Sequence, residues 1–121
     1  MDMPLSRSLG NGLQRHLDRV EILHATIEQL RKDLALEPHE LVCLGNPQNA
    51  FEDLRSQVLP VLDRLSDRGG DALTVMLYRV DIAESHLRRT LAAGGLHELA
   101  GEVVLRALQK VLTRMRFAGR F

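Results

Sequence analysis

From Leu13 to Leu34 the apolar positions recur at helical spacing. Leu13, His16, Val20, Leu23, Ile27, Leu30 and Leu34 step by 3, 4, 3, 4, 3 and 4, with Leu17 beside them. Asp18, Arg19, Glu21, Glu28, Gln29 and Lys32 take the other side, so the segment predicts an amphipathic helix with one buried face. Glu37-Pro38 ends it, because proline disfavours helix in the residue before it. Leu41-Val42-Cys43-Leu44 is apolar enough to tuck onto a core, and Asn46-Pro47 reads as an N-cap followed by proline at the first helical position.

A second helix is expected over 47–66. Its stripe is Phe51, Leu54, Val58, Val61 and Leu65. Pro60 falls inside it and removes one backbone bond, yet the stripe keeps its phase, which favours one bent helix over two short ones.

The third segment is bracketed by glycines. Gly69-Gly70-Asp71 leads into Ala72–Ala93, free of Gly and Pro, and Gly94-Gly95 follows. Asp71 is the expected N-cap and the second glycine pair the expected stop. About 22 residues make roughly 33 Å of helix. Leu73, Met76, Leu77, Val80, Ala83, Leu87 and Leu91 share one side, with Glu84 among them, while Val75, Tyr78 and Ile82 point elsewhere. A last helix over 96–115 carries Leu96, Ala100, Val103, Ala107, Val111 and Met115, widened by Val104, Leu108 and Leu112. The fold expected is all-α: one domain over 1–121, a single four-helix up-down antiparallel bundle with a bent second helix and loose ends at 1–10 and 117–121. The third helix is its expected central pillar.

Composition narrows the picture. One Tyr, three Phe and no Trp among 121 residues make the core aliphatic. Sixteen basic and sixteen acidic residues cancel, so the whole molecule has no field to steer it to nucleic acid or an anionic membrane. No apolar run reaches the 18 or so residues of a membrane span. The first seven residues have no basic region followed by an apolar stretch, and Cys43 is the one cysteine, so a cytoplasmic, reducing setting is expected.

The chemistry-bearing residues are few. Glu84 in an apolar stripe needs a partner. Arg88 is one turn away; if the first and third helices run parallel, His24 comes level with Glu84 and Arg31 lies two turns further along, so Glu84, His24, Arg88 and Arg31 form a candidate core polar cluster. A structural ion pair is the expected outcome. Glu21-Ile22-Leu23-His24 has the spacing of one di-iron half-motif, but such a site needs two of them plus two further carboxylates. His16, His39, His86 and His97 show no ligand spacing, so neither a metal nor a cofactor is expected. Cys43, among apolar neighbours, reads as buried and inert. No nucleophile elbow, phosphate loop or dinucleotide pattern is present, and no catalytic residue is assigned.

Two surface features remain. Arg106, Lys110 and Arg114 step by four as a basic ridge, which serves either as an i,i+4 ladder with Glu98 and Glu102 or as a phosphate contact. Val75, Tyr78 and Ile82, with Leu99 and Leu105, are the surplus apolar residues and the candidate interaction surface. The function expected is therefore a non-enzymatic protein–protein interaction or adaptor module, its partner another protein or a second copy. Nucleic-acid binding through the ridge is the alternative, and an enzyme or metal protein centred on Glu84 and His24 the third.

Overall fold

The computed structural model describes residues 12–43 and 47–119. Among them every regular element is helical: α1 (Val20–Leu34), α2 (Ala50–Arg68), α3 (Ala72–Val80) and α4 (Glu84–Phe117), with 3-10 turns at Arg15–Asp18, Pro38–Glu40 and Pro47–Asn49. The chain is all-α as expected, but its division into helices differs. The loose start at 1–10, the Asn46 cap, Leu44 and the last two residues lie outside the described residues.

The first helix is not continuous from Leu13. Arg19 is extended (φ −88°, ψ 121°) between the 3-10 turn and α1. An extended residue resets the angular phase, so Val20 is 61% exposed while Ile22 is fully buried. α1 ends without glycine. Ala35 takes the left-handed conformation (φ 55°), with Leu36 N bonded to Arg31 O at 2.8 Å and Ala35 N to Lys32 O at 3.3 Å. This is a Schellman end built on alanine.

Arg31 holds the following loop. Its Nε and Nη2 donate to Leu41 O at 3.0 and 2.7 Å, and Nη2 also donates to Pro38 O. Leu41 is buried, while Val42 is bonded through both backbone groups to the Gln57 side chain at 2.9 Å. Cys43 is exposed, not buried as expected, because among the described residues 41–43 only Leu41 turns inward. α2 then runs unbroken through Pro60, which lies on its exposed side.

The larger departure is in the second half. The expected helix 72–93 stops at Val80. Asp81 is left-handed (φ 75°), and Ile82 N bonds to Leu77 O at 3.0 Å in a second Schellman end. Helix resumes at Glu84 and is interrupted at Gly95 (φ 67°, ψ −154°), a conformation essentially confined to glycine. The two arms of α4, 84–94 and 96–117, fold back on one another there. His86 Nε2 lies 3.7 Å from Glu102 Oε1, whereas a straight helix would separate these positions by about 24 Å. The second glycine pair is thus a real stop, and the unexpected break is at residues 81–83.

The central rod is the 96–117 arm rather than the Gly69–Gly95 segment. Leu99, Ala100, Val103, Val104, Leu105, Ala107, Leu108, Val111 and Met115 are all buried. α4 makes its main contacts with α2 and α1. Gln29 and Asp33 meet Arg114 and Lys110, so α1 runs antiparallel to this arm. Gly101 lets Arg55 of α2 approach: a Cβ there would lie 2.8 Å from Arg55 Nη2.

Candidate functional site

α3 is short, apolar and only half covered. Gly69 and Gly70, both at positive φ, turn the chain out of α2, and Val75 N bonds to Asp71 O at 2.8 Å to start α3. The Asp71 side chain makes no capping bond, contrary to expectation. Ala72–Val80 reads ALTVMLYRV, yet only Leu77 and Val80 are buried. Ala72, Leu73, Met76 and the following Ile82 pack at the edge of the core. Val75 is 59% and Tyr78 78% exposed, one helical turn apart on the outer face.

Two of the five expected surface residues are therefore exposed. Leu99 and Leu105 are core residues, because the 96–117 arm is enclosed on several sides, and Ile82 is half-covered in the break after α3.

The basic ridge holds this face in place. Arg106 Nη2 donates to Asp81 Oδ2 at 2.6 Å, just past the end of α3. That bond and the Arg106 charge hold the Asp81 carboxyl below the usual carboxylate range. Lys110 Nζ donates to Asp33 Oδ2 at 2.9 Å and to Arg79 O at 3.2 Å. Gln29 Nε2 donates to Asp33 Oδ1 at 3.0 Å, and Gln29 Oε1 accepts from Arg114 Nη1. Arg79 Nη2 donates to Lys32 O at 3.3 Å. The ridge thus meets α1 and α3 through a polar layer that is buried at Gln29 and Asp33 and open to solvent at Asp81 and Arg79. Periodicity alone gives Gln29 a solvated face and Asp33 no role. The signal that could have found them is spacing: two polar residues four apart on α1 match cations four apart on an antiparallel helix.

The expected core cluster does not assemble. The break at 81–83 moves Glu84 to the first turn of a new helix, where it is exposed and pairs with Arg88 at 3.2 Å. His24 is exposed on α1, and Arg31 serves the 38–41 loop and Glu28. Of the four residues only the Glu84–Arg88 pair forms, on the surface.

A second polar contact joins α2 to α4. Arg55 Nη1 donates to His97 Nε2 at 2.7 Å, and its guanidinium lies 5.0 Å from the Phe51 ring centroid. Its buried Nε has no hydrogen-bond partner and packs against Gly101, where a Cβ would lie 3.0 Å from it. The arrangement is a packing contact with one surface histidine.

Among the described residues no group of three or more His, Cys, Asp and Glu is placed to hold a metal ion, and no helix is long and apolar enough to cross a membrane. No family model matches this chain, and neither a curated protein nor a solved structure shows significant similarity to it.

Proposed function

We propose that the protein is a non-catalytic helical interaction module that docks a protein partner on the outer face of α3. One observation carries the reading: a nine-residue helix with seven apolar residues buries only Leu77 and Val80 and turns Val75 and Tyr78 to solvent. Exposed tyrosine beside aliphatic surface is the composition of interface anchors, because the ring supplies contact area at small entropic cost. The platform assumed is a bundle of the up-down kind, in which arms 84–94 and 96–117 form an antiparallel pair and α1 lies antiparallel to the second.

The nucleic-acid alternative draws less support. Arg106, Lys110 and Arg114 are engaged by Asp81, Asp33 and Gln29, so phosphate would have to displace internal partners.

Tyr78 gives a direct test. The chain has one Tyr and no Trp, so ultraviolet-excited emission reports this site alone. Emission of the free protein should be readily quenched by iodide and should become shielded in the presence of partner. A Val75→Asp/Tyr78→Asp variant should keep its helicity and lose the proteins that the parent recovers from a cell extract. Recovery of the same proteins by the folded variant would place the interaction elsewhere and overturn the reading.

A further inference from the structure

We infer that the occupant of the α3 face is a second copy of the chain, with the two α3 helices antiparallel about Val75. This rests on α3 being a docking face and names what it docks. Charge complementarity carries the pairing. Asp71 and Arg79 stand four positions either side of Val75, and 72–78 between them carries no charge. Both are exposed on the side of α3 that presents Val75 and Tyr78. Asp71 makes no ion pair or side-chain hydrogen bond among the described residues, and Arg79 gives one N–H to Lys32 O.

A two-fold axis makes an interface self-complementary: whatever residue i meets, its mate meets residue i in turn. With the axis at Val75, each Asp71 faces the other copy's Arg79, and both pairs form at once. Val75 meets its own mate, and each Tyr78 ring lies over the small side chain of the other copy's Ala72. A parallel pair would instead set Asp71 against Asp71 and Arg79 against Arg79, so charge selects the antiparallel arrangement. The face is about 13 Å long. It therefore buries less than the roughly 1,200 Å² of a stable dimer, and the association is reversible and concentration-dependent.

The test is sedimentation of the full chain from about 5 μM to about 1 mM, the range in which an interface of this size associates. The parent should pass from monomer to dimer. Asp71→Arg and Arg79→Asp should each weaken dimerisation by roughly tenfold or more, since each places two like-charge pairs at the interface. An equimolar mixture of the two variants should dimerise as the parent does. One variant is then basic at both ends of α3 and the other acidic at both, so each contact again joins opposite charges. Unchanged circular dichroism shows that the variants remain folded. A parent monomeric throughout, or folded single variants that dimerise like the parent, overturns the inference. If the monomeric parent still recovers other proteins through Tyr78, self-pairing alone is wrong; if it recovers none and Tyr78 emission is never shielded, the docking reading falls with it.

Discussion

Lys110 donates to Asp33 at 2.9 Å across the α1–α4 interface, where the Asp33 side chain is only 7% exposed. The same ammonium reaches the Arg79 carbonyl near the end of α3, so one side chain ties three helices. Removing one member of a buried pair strands the other charge, which is far worse than removing both. Asp33→Ala should therefore destabilise by about 3 kcal/mol, and Asp33→Leu/Lys110→Met by clearly less. Urea denaturation of the parent and both variants decides this. Equal losses would mean that the pair is solvated and carries little.

Gly95→Ala tests the fold-back of α4. No neighbouring atom lies within 4 Å of the added Cβ, so any penalty comes from the backbone alone. Holding alanine at φ 67°, ψ −154° should cost about 2–3 kcal/mol. Equilibrium unfolding monitored by circular dichroism gives the value. A loss within experimental error would show that the two arms do not need this conformation.

Ala35→Gly should act in the opposite direction. Ala35 bears a left-handed penalty of roughly 1–2 kcal/mol, part of which is offset by glycine's extra freedom in the unfolded chain. A net gain of about 0.5–1 kcal/mol is expected from a shifted denaturation midpoint. Destabilisation would argue against the Schellman end at α1.

Acid should loosen α3 from the ridge. The folded-state pKa of Asp81 is lowered by the hydrogen bond from Arg106 and by its charge. Its contribution is therefore fully present above the ordinary carboxylate value near 4 and is lost as pH falls through the lower folded value. Glu40 behaves alike, lowered chiefly by the Glu37 backbone amide, with Arg64 assisting against desolvation. Asp81→Asn should reduce stability at pH 7 and converge with the parent once the pH has fallen through the lowered folded value. Parallel denaturation curves with a constant offset from pH 7 to pH 2 would contradict this.

Cys43 provides a simple check on the 35–45 connection. Its exposure predicts complete reaction with a thiol reagent in the native protein, without prior unfolding. Protection until denaturant is added would mean that the loop buries it.

Much of the fold follows from local chemistry in the sequence. Helical periodicity fixed the all-α class, the continuous stripe of α2 carried it through Pro60, and Gly94-Gly95 marked a stop, because each depends on neighbours within a turn. The main stripe of 96–117 was legible for the same reason, as were Val75 and Tyr78 as surplus apolar positions, whereas Leu99 and Leu105 were read as surface and are core.

Tertiary structure decided the rest. Helix breaks at Arg19 and Asp81 have no glycine to announce them. Asp81 is held left-handed with Arg106 bound to its carboxylate, 25 positions away. Those breaks reset the angular phase, and a reset phase exposed Val20 and moved Glu84 out of the core. The long-range partners Asp33 and Gln29 likewise turned a basic ridge into an internal fastening. Periodicity reports which residues share a face; only packing decides which face is covered.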